Sequence, residues 1–150
     1  MSKKLIGIAS DHAGFPLKEF LKGLLVKRGY EVADFGCSRE DSVDYPDYAY
    51  ALARKVAGGE IPRGVLVCGT GIGMSIAANK VKGIRAALCW DEYTAKMSRN
   101  HNDANILCLG GRILAPEQAK QILKVWLEES FQGGKHRRRL EKIGKIERGG

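Results

Sequence analysis

A thiol followed at once by three closely spaced glycines is the part of this sequence best placed to do chemistry. Val65-Leu66-Val67-Cys68-Gly69-Thr70-Gly71-Ile72-Gly73-Met74-Ser75-Ile76-Ala77-Ala78-Asn79 reads as a buried strand, a cysteine at its end, a glycine-rich turn and a small-residue helix. The apolar run after Gly64 fits a parallel strand covered on both faces. The glycines let the backbone turn sharply and come close to a ligand. A helix N-terminus aimed back at such a turn attracts anions and favours the thiolate of a nearby cysteine. One reading is an activated thiolate beside donors for a negatively charged ligand. The other is a buried cysteine in a tight strand–helix turn.

The polar residues that could work with this thiol are few. The chain has three histidines, His12, His101 and His136, all in predicted loops. Two of them fall next to strands, on what should be the ligand-facing side. None has neighbours at metal-ligand spacing, so no metal site is expected. Arg112 follows the last predicted strand after two glycines, and Lys135, Arg137, Arg138 and Arg139 form a cationic run.

These residues must be held by a scaffold, and the hydrophobic pattern supplies one. Strands are predicted at Leu5–Ala9, Glu31–Phe35, Val65–Cys68, Ala86–Cys89 and Ile106–Leu109. Between them lie helices with apolar positions at helical spacing. The first has Leu17, Phe20, Leu21, Leu24 and Leu25 on one side and Lys18, Glu19 and Lys22 on the other. The second buries Ala49, Leu52, Ala53 and Val56, and the last Ala119, Ile122, Leu123, Trp126 and Leu127. Pro16, Pro46 and Pro116 suit first helical turns. Strands alternating with helices imply one α/β domain, residues 1–150, with a parallel five-stranded sheet. Ligands bind such sheets beyond the carboxyl ends of the strands, where the strand order reverses. With an order of 2-1-3-4-5, that crevice lies between strands one and three, lined by Asp11-His12 and Cys68-Gly69-Thr70-Gly71.

Composition narrows the class. A chain of 150 residues can bury a real core. No apolar segment is long enough to span a membrane, and the N-terminus shows no signal-peptide pattern, so a cytoplasmic protein is expected. Cys37, Cys68, Cys89 and Cys108 are widely spaced, and reduced thiols are expected. Residues 133–150 carry seven Lys/Arg against two Glu, five of the eight net positive charges. This reads as a basic tail. No aromatic residue lies among its charges, which argues against stacking on single-stranded nucleic acid.

Several motifs together resemble ribose-5-phosphate isomerase type B, within a wider family of allose-6-phosphate and galactose-6-phosphate isomerases. They are Ser10-Asp11-His12-Ala13-Gly14, Asp44-Tyr45-Pro46-Asp47, Cys68 to Gly73 running on to Ala77-Ala78-Asn79-Lys80, Gly83-Ile84-Arg85-Ala86, Ser98 to Asn105, and Gly133-Gly134-Lys135-His136. The resemblance runs from about Ile6 to Ile146. It implies a Rossmann-like three-layer sandwich with sheet order 2-1-3-4-5. It also implies an aldose–ketose isomerase of the non-oxidative pentose phosphate pathway that needs no metal or organic cofactor. The partners it implies are a phosphorylated sugar and a second copy of the chain, as a homodimer or homotetramer with sites shared between subunits. No nucleic acid or membrane partner is implied.

By the same resemblance Cys68 is the base that moves a proton between C2 and C1. Gly69, Thr70, Gly71, Ile72 and Gly73 offer N–H groups to the enediolate oxygen. His101 is the acid that opens the furanose ring, and Asn102 lies beside it on the substrate. Asp11 and His12 contact substrate, and Arg112 and Arg139 hold chiefly its phosphate. Lys135 stands where the family often has arginine, keeping the charge without the two-pronged geometry. Residues 133–150 reach the partner subunit.

Two rival readings make different predictions. A dinucleotide-binding domain would use Gly69-Thr70-Gly71-Ile72-Gly73, but Met74 stands where that fingerprint needs its third glycine. A nucleic-acid-binding module would use the basic tail and leaves Cys68 and His101 without a role.

Overall fold

Three strands with almost every side chain hidden from water fill the middle of the structure, a computed structural model that describes residues 4–150. They are β1 (Lys4–Ser10), β3 (Gly64–Cys68) and β5 (Ile106–Gly110). β2 (Tyr30–Asp34) and β4 (Ala86–Leu88) flank them and are only partly covered. All pairings are parallel, and the order is β2-β1-β3-β5-β4. The helices are α1 (Phe15–Lys27), α2 (Tyr45–Ala57), α3 (Ile72–Ala78), α4 (Glu92–Asn100), α5 (Pro116–Glu128) and α6 (Lys135–Glu147).

Alternation along the strands builds two cores. Ile6, Ile8, Val65, Val67, Leu107 and Leu109 face α1, α4 and α5. Ala9, Leu66, Cys68, Ile106 and Cys108 face α2 and α3. Each strand thus feeds both layers with period two, as parallel strands covered on both sides must. The helix faces expected from spacing are the buried ones in α2 and α5.

Gly7 and Gly64 are partners in the β1–β3 register, and both lie under Leu52 of α2. A Cβ at Gly64 would come within 2.7 Å of that leucine, and one at Gly7 would also run into it. The paired glycines therefore make a hollow into which α2 seats Leu52.

The structure corrects four sequence expectations. The sheet order is not 2-1-3-4-5: β4 and β5 exchange places. β5 is five wholly buried residues and needs a neighbour on each side, whereas β4 is three half-buried residues and suits the edge. The basic tail is not an extended tail but contains a thirteen-residue helix, α6. Lysine and arginine are good helix formers, and Leu140, Ile143 and Ile146 give α6 a thin apolar stripe. None of its residues is buried, and its far end is tied to the body by Gly83 N–H donating to Glu147 Oε1 at 2.7 Å. On α1 two positions exchange roles: Lys18 is only 1% exposed and Phe20 is open to solvent, while Leu17, Leu21 and Leu25 are buried and Glu19 is exposed as the spacing implies. Finally, His101 lies at the amino edge of the sheet, as described below.

No helix among the described residues is long and apolar enough to cross a membrane. Truncating Leu52 to alanine empties the glycine hollow. We expect a loss of about 2–5 kcal/mol, as for other fully buried leucines. It should appear as a lower urea midpoint at unchanged slope, and a midpoint like that of wild type would show that α2 settles into the gap.

Candidate active site

β1, β3 and β5 end side by side, and the hydrogen-bond ladder continues past their ends. Asp11 N–H donates to Val67 O at 3.2 Å, Gly111 N–H to Cys68 O at 2.7 Å and Arg112 N–H to Gly69 O at 3.0 Å. These three bonds draw Asp11, Cys68 and Arg112 to one crevice at the point where the strand order turns back. Asp11 and Cys68 stand at the carboxyl-edge position expected between strands one and three, and Arg112 joins them from the end of β5.

Cys68 is 5% exposed, and its Sγ accepts the N–H of Gly71 at 3.1 Å. Gly71 has φ +80°, and a Cβ there would meet Leu88 and the Leu109 carbonyl carbon, so only glycine closes this turn without strain. The next N–H, of Ile72, goes to Thr70 Oγ1 at 3.2 Å. Gly73 lies in the first turn of α3, where helix geometry gives its N–H no partner within the helix. The Tyr45 ring lies against Gly73, which makes the start of α2 a wall of the crevice. The Arg112 side chain extends over Gly69.

Asp11 is nearly buried, and its Oδ1 accepts the Gly14 N–H at 2.9 Å, which tightens the turn into α1. His12 Nδ1 accepts the Val43 N–H at 3.1 Å, from the loop between β2 and α2. The other thiols differ from Cys68 in setting. Burial pushes Cys89 up to about 11 and Cys108, deep in the sheet, well above the usual thiol range. Cys37 Sγ donates to Arg39 O at 3.1 Å. All four cysteines are free.

His101 and Asn102 are elsewhere. α4 starts at the carboxyl edge, where Asp91 caps it by accepting the Thr94 N–H at 2.7 Å, and carries the chain back to the amino edge before β5. There the His101 ring stacks on His136, with centroids 4.0 Å apart and planes 11° apart. His136 belongs to the first turn of α6, between Lys135 and the exposed Arg139. The backbone of the α5–α6 connection is pinned beside them by Gln132 N–H donating to Asn100 O at 3.0 Å and Asn100 Nδ2 donating to Ser130 O at 2.9 Å. Asn102 O accepts from Arg85 Nε at 2.9 Å, at the rim of a crevice of about 470 Å³ closed by Ile143 and Ile146 of α6.

The sequence-predicted residues thus form two groups within one subunit. Asp11, His12, Cys68, Gly69 to Gly73 and Arg112 come together at the carboxyl edge; His101, Asn102, Lys135 and Arg139 come together at the amino edge. A cavity of about 490 Å³ lined by Trp90, Asp91, Tyr93 and Glu117 holds none of them. Among the described residues no cluster of three or more His, Cys, Asp or Glu is placed to hold a metal ion. His136 is the neighbour that spacing did not assign to the site, although it stands in the Gly133-Gly134-Lys135-His136 motif.

Residues 6–143 match the ribose/galactose isomerase family. The chain belongs to that family. A ribose-5-phosphate isomerase B of Escherichia coli strain K12 is 49% identical over 144 residues, 96% of this chain and 97% of its own. The structure is similar to that of a ribose-5-phosphate isomerase B of Clostridium thermocellum, with a TM-score of 0.95 and 55% identity over 96% of this chain and 97% of that one. It is also similar to the ribose-5-phosphate isomerase B of Mycoplasma genitalium with bound ribulose-5-phosphate, with a TM-score of 0.94 and 40% identity over 99% of both chains.

Within this isomerase fold the amino-edge group is strongly cationic. His136 is held below the ordinary 6.5 for histidine, first by partial loss of water and then by the positive charges of His101, Lys135 and Arg139. A lowered imidazole contributes stability that is intact above 6.5 and is lost as pH falls through the folded value. An NMR titration of the free protein should therefore give His136 a midpoint below 6.5. A midpoint at or above 6.5 would mean that the stack and its cations do not surround the ring in solution.

Proposed function

We propose that this protein interconverts ribose 5-phosphate and ribulose 5-phosphate through an enediolate, with Cys68 as the base. The observation that carries the reading is the Cys68 sulfur at the end of β3, met by the Gly71 N–H inside a glycine turn, with Arg112 alongside. A proton beside a carbonyl leaves only if the developing oxyanion is stabilised. Preorganised N–H donors do this, and losing one typically costs ~10²–10³ in rate. Gly71 and Ile72 already direct their N–H groups to Cys68 and Thr70. The Gly73 N–H is then the turn's donor for the enediolate oxygen. Asp11 and His12 hold sugar hydroxyls, and Arg112 holds charge on the substrate.

His101 acts as the acid that opens the ring, with Asn102 beside it, and Arg139 and Lys135 bind the phosphate. Remote phosphate binding holds the flexible open-chain sugar in place for the proton transfer. The two groups of residues lie at opposite edges of one sheet, so in this reading each site draws one group from each of two copies. A two-fold interface presents the same patch on both subunits, which yields two such sites per homodimer.

The test is kcat/KM for ribose 5-phosphate, with allose 6-phosphate as the hexose comparison, in the presence of EDTA. Cys68→Ala should lose about 10²–10⁴ of kcat/KM, the share of a positioned base. Undiminished turnover would remove Cys68 from that role, and preference for the hexose phosphate would keep the mechanism and change the substrate.

A mixing experiment tests the shared site. Cys68→Ala and His101→Ala should each be nearly inactive alone. After co-refolding, random pairing should restore about a quarter of wild-type activity, because half of the dimers carry one intact site of two. No recovery would place both groups in one subunit's site.

A further inference from the structure

Lys18 occupies a position that the helical pattern gave to solvent, yet its side chain is 1% exposed. Its ammonium lies 2.9 Å from both Asp34 oxygens and donates to Cys37 O at 2.7 Å. Glu19 Oε2 is 3.3 Å away, and the Phe15 ring covers the group from 5.2 Å. Asp34 also accepts from Gly36 N–H and Lys22 Nζ, each at 2.9 Å. Burial alone would raise this carboxyl, but the bonds from Lys18, Gly36 and Lys22 hold it below its ordinary value.

Burying an ammonium is costly unless it is paired and fully hydrogen-bonded. The arrangement also does more than join α1 to β2. Cys37 belongs to the segment that leaves β2, and this segment is fastened to the end of β1 by Ser10 N–H donating to Gly36 O at 2.7 Å and Cys37 N–H donating to Ser10 O at 2.8 Å. Asp11 and His12 follow immediately. The far end of the same loop returns to them, where Val43 donates its N–H to His12 Nδ1.

We infer that Lys18 is a positioning residue for the active site: by gripping Asp34 and the Cys37 carbonyl it anchors the loop from Gly36 to Asp44, and the loop fixes the orientation and tautomer of His12. An imidazole nitrogen that accepts an N–H carries no proton, so the neutral His12 ring keeps its proton on Nε2. The site is then offered a donor at His12 Nε2 and an acceptor at the second oxygen of Asp11, a matched pair for two neighbouring hydroxyls of a sugar. His12 orients substrate in this arrangement and does not take a proton through Nε2. The inference rests on the proposed function for its catalytic readout but not for its structural one.

The experiment combines imidazole ¹⁵N NMR, with His12→Asn used to assign the His12 signals, and steady-state kinetics with ribose 5-phosphate. The variants are Lys18→Met and Lys18→Met/Asp34→Asn. The double variant removes both charges and so avoids a lone buried ion, which is the arrangement most damaging to folding. Wild type should show Nδ1 of His12 unprotonated and hydrogen-bonded, with the proton on Nε2. The double variant should keep a melting temperature close to wild type, lose that single-tautomer signature, and lose about 10–10² of kcat/KM through misplaced substrate contacts. An unchanged His12 spectrum in the double variant overturns the inference, as does wild-type His12 protonated on Nδ1. A fall in kcat/KM with an unaltered His12 spectrum also overturns it, because Lys18 would then act by another route. If wild type turns over no sugar phosphate, the proposed function fails on its own, and the imidazole spectra still decide the inference.

Discussion

The arrangement depends on three backbone hydrogen bonds that outlast the sheet. Where β1, β3 and β5 stop being strands, Asp11, Gly111 and Arg112 still donate to Val67, Cys68 and Gly69. Buried amides must find partners, and here the partners are the last two residues of β3, Val67 and Cys68, and Gly69 just beyond it. Three loops that would otherwise diverge leave the sheet in register. The carboxylate, the thiol and the guanidinium are delivered together because the backbone carrying them has nowhere else to satisfy its N–H groups.

The same economy holds inside the glycine turn. Gly71 takes a left-handed conformation between Leu88 and the carbonyl of Leu109, and its N–H meets the Cys68 sulfur. The turn is therefore built around the thiol. A cysteine at the end of a strand is common enough. A cysteine whose sulfur is the hydrogen-bond acceptor that closes the following turn is held in one place relative to any bound ligand.

Much of this was legible in the sequence. βα alternation gave the parallel sheet, but the crevice between strands one and three rested on the order 2-1-3-4-5, of which the observed sheet keeps only the 2-1-3 part that the crevice needs. The buried faces of α2 and α5 followed from spacing. Other features needed information that local pattern lacks. Exchange of β4 and β5 is a choice between two chain paths of equal local quality, although the contrast between Ala86-Ala87-Leu88 and Ile106-Leu107-Cys108-Leu109 hinted at which strand is central. Lys18 looked exposed because its partner, Asp34, lies not on its own helix but on β2, sixteen residues away. His101 adjoins a strand, which suggested the ligand-facing side, yet Cys68 ends a strand and His101 precedes one, which puts them on opposite edges. α6 was hidden by its own charge, since its apolar stripe is too thin to stand out.

The hollow formed by Gly7 and Gly64 has a reach beyond the core. Leu52 is locked into it, and Leu52 belongs to the same rigid helix as Tyr45, which walls the crevice at Gly73. Seven residues of helix separate the two contacts, about 10 Å. α2 therefore behaves as a beam whose seating at one end sets the clearance at the other. The width of the crevice beside the thiol is adjustable from the floor of the sheet, by changes of a single methyl group in residues that do not line it.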